Sequence, residues 1–214
     1  MGIVIYPSEE ELYLGRIGIN GTHAANVALN NSDLLIAFGV AFSDRSTCKK
    51  SNFGSNTKIV SVNLHLISDN FELQIKADVQ DFIRQYLDKN IIRNVNTDWL
   101  NQVKAIKEEF ITDENSQNCL HSSYVLATLS EYTRKYSPIV VTDVGQHQML
   151  TAQFYNFNEP RKFITSGGLG TMGFGLPAAI GAYISNPDNL ILNITGDGSF
   201  QMNLQELGTC MEYN

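Results

Sequence analysis

At residues 190–207 the chain reads LILNITGDGSFQMNLQEL, in which an apolar run, Leu190 to Ile194, leads to Asp197 flanked by Gly196 and Gly198. A polar-capped helical pattern follows at once. In an open parallel sheet, ligands gather beyond the carboxyl ends of the strands, and Asp197 sits at such an end. The two glycines let the backbone turn sharply and approach a bulky anion. Ser199 is expected to cap a helix starting near Gln201, whose free N–H groups favour phosphate oxygens. A carboxylate beside a phosphate is repulsive unless a cation lies between them, and Mg²⁺ held by one or two carboxylates plus phosphates meets that need. The stretch therefore reads as a Mg²⁺-diphosphate site. Gly-Asp-Gly alone reads equally as a plain strand-to-helix turn, because turns favour these residues.

A second signal competes with it. GLGTMG, residues 168–173, matches the dinucleotide fingerprint G-x-G-x-x-G, with a possible strand KFITS before it, a helix after it and Asp188 some twenty residues on. The acid of that motif should end the next strand and reach a ribose. Asp188 instead precedes the strand, in an NPDN turn, which disfavours a nicotinamide dehydrogenase. A third patch, VTDVGQHQM at 141–149, puts Asp143 and Gly145 after a strand and Gln146, His147 and Gln148 in consecutive positions. Such a cluster suits an anionic ligand, and it suits a hydrogen-bonded loop equally well.

These patches need strand ends to carry them, and the pattern supplies them. DLLIAFGV (33–40) and KIVSVNL (58–64) read as buried strands of parallel-sheet type, preceded by a helix HAANVALNN and followed by a helix VQDFIRQYLDKN with Val79, Phe82, Ile83, Tyr86 and Leu87 at helical spacing. A strand is also expected at the start, in GIVIYP. After a polar stretch holding Trp99 comes a helix SSYVLATLSEYTRKY, a strand PIVVTDV, a loop, the Gly-rich segment, a helix through PAAIGAYIS and the strand before Asp197. The fold class is α/β, with two incomplete doubly wound parallel-sheet (Rossmann-like) domains at 1–88 and 119–214 and a linker at 89–118.

Composition excludes other classes. Fifteen basic against twenty-two acidic residues leave a net charge of −7 with no Lys/Arg block, so nucleic acid is not expected as a partner. The Gly-rich run lacks the continuous apolar character of a membrane span, and no signal peptide is visible. Cys48, Cys119 and Cys210 are scattered, with no metal-ligand spacing, which suits reduced thiols in a cytoplasmic protein.

Taken together, VTDVGQHQM, AQFYNFNEPRKFITSGGLGTMGFGLPAAIGA and NPDNLILNITGDGSFQMNLQEL closely resemble the thiamine-diphosphate domain of the acetolactate synthase large subunit, and YLGRIGINGTHAANVALNNSDLLIAFGVAFSDRST resembles that family's central domain. The resemblance implies an enzyme that decarboxylates pyruvate and joins the two-carbon unit to a second 2-keto acid, pyruvate or 2-ketobutyrate, in branched-chain amino-acid biosynthesis. It implies that Asp197 ligates Mg²⁺, that Gly198, Ser199, Gln146 and His147 lie at the diphosphate, that Gly170 offers its backbone to the aminopyrimidine, and that Met172 sits under the ring system. Core packing is the alternative for Met172. It further implies a homodimer or larger assembly, a possible regulatory small subunit, and a catalytic glutamate and a second Mg²⁺ ligand, an asparagine, outside these residues. On that basis the chain is expected to be a truncated and inactive piece. A related enzyme acting on another 2-keto acid, or a non-catalytic remnant, are the alternatives.

The central segment departs from the family's GxRFDDR, reading GVAFSDR, with Ala41 for the arginine and Ser43 for the first aspartate; the next strand ends in Asn63 and His65 where acids are usual. These changes remove charged partners for a flavin and put FAD binding in doubt. Gly18, Gly21 and Gly39 are retained as its candidate contacts, each readable as a turn glycine.

Overall fold

The computed structural model describes residues 2–47, 53–54, 57–66, 71–89, 96–111 and 120–213. They fall into two compact units, residues 14–113 and residues 1–13 together with 114–214. Each unit is α/β and holds a three-stranded parallel sheet flanked by helices.

In the first unit, α1 (His23–Asn31) is capped by Thr22, whose side-chain oxygen accepts from the Ala25 N–H at 3.3 Å. Then follow β1 (Leu34–Phe38), α2 (Asp44–Thr47), β2 (Lys58–Asn63), β3 (Leu73–Lys76), α3 (Val79–Asp88) and α4 (Thr97–Ile111). The strand order is β1-β2-β3, with Leu34 opposite Lys58 and Val60 opposite Leu73. Small residues on one face of α1, Ala24, Ala25 and Ala28, are buried, and α4 packs against this helix. The Thr57 hydroxyl donates to the carbonyls of Leu29 and Ser32 at 3.2 and 2.8 Å, tying the end of α1 to the start of β2.

Strand β1 differs from the expected buried run. Ala37 is 5% exposed, yet Leu34, Ile36 and Phe38 on the opposite face are 43–49% exposed. A strand turns alternate side chains to opposite faces, and on this face the described ring contact is Phe38 against Phe82 of α3, at 5.9 Å. The apolar stripe of α3 lies where the spacing places it, but no residue of that helix is buried.

The second unit begins with a correction. GIVIYP forms no strand: Gly2–Val4 is a 3₁₀ turn, closed by the Ile5 N–H on the Gly2 carbonyl at 3.2 Å. Just after it, Ser8 ties the segment to Phe157, whose carbonyl accepts from the Ser8 N–H at 2.9 Å and whose N–H donates to the Ser8 hydroxyl at 3.0 Å. Residues 2–13 thus lie on α5 (Ser122–Thr133), β4 (Ile139–Thr142), α6 (Gln146–Phe154), β5 (Phe163–Thr165), α7 (Gly175–Ser185), β6 (Ile191–Ile194), α8 (Asp197–Met202) and α9 (Leu207–Glu212) as one unit. The region expected as a loop after β4 contains α6. QHQMLTAQF holds neither Gly nor Pro, and it buries Thr151 and Ala152 on one face.

Strand β4 is the middle of β5-β4-β6, and all four of its residues are buried. Val140 packs with Ala152, Tyr155 and Phe157 on one face, while Ile139 and Val141 meet Ala179 and Ala182 on the other. A sheet covered on both faces explains why this strand is continuously apolar. Among the described residues no helix is long and apolar enough to cross a membrane. Cys210 is an exposed free thiol; Cys48 and Cys119 lie outside the described residues.

Phe157 is 2% exposed and meets Tyr155 and Phe163 at ring separations of 5.0 and 4.8 Å. Phe157→Ala is expected to lower stability by about 3–5 kcal/mol in urea unfolding, whereas Leu87→Ala on the open face of α3 should change it by about 0.5 kcal/mol or less.

Candidate functional site

Parallel pairing of β4 with both neighbours brings three sequence-distant segments to one edge of the second sheet. These are the β4–α6 turn, the Gly-rich loop between β5 and α7, and the turn between β6 and α8. Asp197 does not precede its helix, as expected, but opens it. Gly196 is the extended N-cap, and the Phe200 N–H closes the first turn on the Gly196 carbonyl at 2.9 Å. Backbone N–H groups ahead of that bond, at Asp197, Gly198 and Ser199, have no helical acceptor. Ser199 is therefore not the cap. It is buried in the first turn, and its hydroxyl donates to the Val144 carbonyl at 3.3 Å, fastening α8 to the end of β4. Asp197 and Gly198 are exposed.

The Gly-rich loop approaches the same place. A Cβ built on Gly198 would lie 3.8 Å from the Met172 methyl, and one on Gly170 (φ +67°) would lie 3.8 Å from a Val144 methyl. Met172 is 45% exposed, so it is not core filling. The loop is held from beneath by Asp143, 1% exposed, whose Oδ1 accepts from the Val144 and Gly173 N–H groups at 2.7 and 3.0 Å and whose Oδ2 accepts from Gly175 at 2.7 Å. Gly175 has to be glycine here, since a Cβ would come within 2.9 Å of the Asp143 Cβ. At Gly173 (φ +87°) a Cβ would come within 2.7 Å of Asn203, whose amide donates to the Gly173 carbonyl. The segment does not open a helix as a dinucleotide fingerprint would, because α7 begins only at Gly175, after the last glycine of GLGTMG.

The three consecutive polar residues after β4 do not all face the same way. They form the first turn of α6, where successive side chains diverge. Gln146 is exposed; Gln148 donates to the Thr165 hydroxyl at 2.7 Å and to the Ser166 carbonyl at 3.4 Å. His147 points toward α8: Cβ atoms built on Gly145 and Gly196 would lie 3.0 and 3.2 Å from its Cε1. Its Nε2 is buried without a hydrogen-bond partner. Burial pushes the imidazole below its ordinary pKa of 6.5, while the charge and the backbone carbonyl of Asp143 pull it back up. Sequence reasoning singled out neither the tethering role of Asp143 nor Asn203. The signal available was an acid ending a strand, one motif away from the glycine that crowds it.

Among the described residues no cluster of three His, Cys, Asp or Glu side chains could hold a metal by itself. Asp197 is a single exposed carboxylate beside open backbone donors, a set that suits a cation shared with phosphate oxygens. In the first unit, Gly18 is clamped by Asn26, which accepts from the Gly18 N–H at 2.9 Å and donates to its carbonyl at 3.0 Å. The Gly21 N–H closes a turn on Gly18 at 3.0 Å, and the Gly39 N–H donates to Val62 at 2.9 Å. Asn63 donates to the Val40 carbonyl at 3.1 Å, and Phe42, 4% exposed, packs on Phe71 and Phe53 at ring separations of 4.6 and 6.1 Å.

Residues 143–214 match the thiamine pyrophosphate enzyme C-terminal TPP binding domain, and residues 1–86 match the central domain of the same enzymes. The chain is 42% identical over 98% of its length to chloroplastic acetolactate synthase of Arabidopsis thaliana, and 41% identical over 100% to the acetolactate synthase large subunit of Cyanidium caldarium. It is 40% identical over 99% to the acetolactate synthase isozyme 1 large subunit of Escherichia coli K12. It spans 32%, 38% and 38% of these relatives, about a third of their length. With the TPP-binding match beginning at Asp143 and running through all three converging motifs, the chain belongs to the thiamine pyrophosphate enzymes and is acetolactate synthase large-subunit-like along its length.

Proposed function

We propose that this chain supplies the diphosphate and metal half of a thiamine diphosphate site in an acetolactate synthase-type enzyme. The observation that carries it is the meeting of Asp197, Gly198, Met172 and His147 at one sheet edge, with Asp197 and Gly198 exposed and the first N–H groups of α8 without a helical acceptor. On this reading Asp197 binds Mg²⁺, the amides of Gly198 and Ser199 together with Gln146 and His147 take diphosphate oxygens, Gly170 offers its backbone to the aminopyrimidine, and Met172 supports the ring system. The bound cofactor supplies an electron sink for a 2-keto acid, while the protein supplies orientation and electrostatics. Condensation of pyruvate with pyruvate or 2-ketobutyrate belongs on this reading to an assembly of two or more such subunits.

A related reaction on another 2-keto acid is the second reading, favoured by Ala41, Ser43 and Asn63 in the first unit. There the Asn63 amide is spent on Val40, Phe42 packs against Phe53 and Phe71, and Ala41 and Ser43 offer no charge to a flavin dinucleotide. Product analysis with pyruvate, 2-ketobutyrate and other 2-keto acids separates the two readings.

Asp197→Asn should weaken Mg²⁺-dependent thiamine diphosphate binding about tenfold or more, measured by titration calorimetry with and without Mg²⁺. Unchanged affinity would sink the metal role. The free chain also carries a pH signature. Below 6.5 the unfolded chain protonates His147 while the folded chain resists, so the unfolded state binds more protons and stability falls as pH drops from 6.5 toward the lowered folded value. Urea midpoints across that window should fall in the parent chain and fall less in His147→Gln.

A further inference from the structure

We propose that Asp143 is a positioning residue that sets the ring half of the cofactor site, separately from the metal and diphosphate half held by α8. The inference rests on the thiamine diphosphate reading above. Asp143 uses both carboxylate oxygens on backbone N–H groups, those of Val144 and Gly173 on Oδ1 and that of Gly175 on Oδ2. Gly173 is therefore held through both of its peptides, its N–H by Asp143 and its carbonyl by Asn203. At the other end of the loop, the Ser166 hydroxyl accepts from the Thr171 N–H at 3.1 Å, and Gln148 holds Thr165.

Between these two anchors the loop is open to solvent, with Leu169 95% and Met172 45% exposed. Met172 supplies the carbonyl of the peptide whose N–H Asp143 holds, so the orientation of that peptide fixes where its side chain leaves the loop. In the observed orientation its methyl reaches to within 3.8 Å of a Cβ position on Gly198. A carboxylate is required because three donors converge on it. An asparagine would turn an NH₂ group toward one of those N–H groups and leave a buried donor without an acceptor.

The Asp143 side chain touches none of the groups assigned to metal or diphosphate. Ser199 is tied to the Val144 carbonyl, and His147 feels both the charge and the backbone carbonyl of Asp143, so Gly175→Ala, which keeps both, is the variant that separates the loop's path from that charge. Loss of the carboxylate should thus release the ring side of the site and spare the other. A general loss of structure would release both.

The test uses the full chain with Asp143→Asn, and with Gly175→Ala, which presses a methyl within 2.9 Å of the Asp143 Cβ and displaces the loop while leaving the charge in place. Tyr155→Phe, which removes the 2.7 Å hydrogen bond to Thr133 in the same unit, is the control for ordinary destabilisation. Amide hydrogen exchange and titrations with Mg²⁺-thiamine diphosphate and with Mg²⁺-pyrophosphate are compared. Both loop variants should speed exchange at 168–175 and weaken thiamine diphosphate binding about tenfold or more, while shifting pyrophosphate binding by less than about twofold. Tyr155→Phe should leave the ratio of the two affinities unchanged. Unaltered exchange in the loop, or equal losses for both ligands, overturns the proposal while the cofactor reading stands. A parent chain that binds neither ligand overturns the cofactor reading, and with it the role given to Asp143.

Discussion

The carboxylate of Asp143 is the constraint on which the second unit's site depends. A buried carboxylate is costly unless donors surround it, and charge-assisted bonds to backbone N–H groups are among the stronger ones a protein makes. All three donors to Asp143 are backbone groups, two of them from a loop far along the chain. This makes the loop's path a condition of burying the charge. It also explains the crowding at Gly175 and the left-handed backbone at Gly173, since no side chain fits where the loop must pass to bring its N–H groups within reach.

What surrounds that hub follows from strand order. With β4 between β5 and β6, the turn after each strand opens on the same edge, and the three motifs meet without any of them being long. The helices then divide the work. α6 presents His147 against Gly145 and Gly196, α7 seats the loop on Asp143, and α8 opens with the exposed Asp197 and Gly198. The first unit has the same strand direction but covers its sheet differently: β1 leaves Leu34, Ile36 and Phe38 nearly half exposed, whereas every residue of β4 is buried. The middle strand of the second unit is packed on both faces, and the three converging turns stand at its end.

Much of this was legible because local pattern and tertiary role agree. His23–Asn31, Lys58–Asn63 and Val79–Asp88 lie where apolar spacing puts them, and Thr22 and Asp78 cap as their side chains allow. GIVIYP misled because β-branched residues signal a strand only if a neighbouring strand pairs with them; here Val4 packs into the core of the unit instead. The start of α8 was misplaced because Ser199 is a good capping residue locally, whereas its hydroxyl donates to the Val144 carbonyl, a partner the local sequence cannot reveal. The role of Asp143 was hidden for the same reason. Nothing in TDVG announces that glycines at 173 and 175 will donate to it.

The two aspartates that end strands of this unit show how environment divides one side chain between two tasks. Asp143 follows the central strand, where β5 and β6 flank it and α7 covers it, so its oxygens are spent inside the protein. Asp197 follows β6, whose paired neighbour in the described sheet is β4 alone, and the helix it opens carries it outward into solvent. An internal salt or hydrogen-bond network would make Asp197 a poor metal ligand, because its oxygens would already be taken. An exposed carboxylate at Asp143 would leave the Gly-rich loop without its anchor. Each residue type is ordinary, and the sheet position decides which aspartate orders the loop and which remains open to a cation.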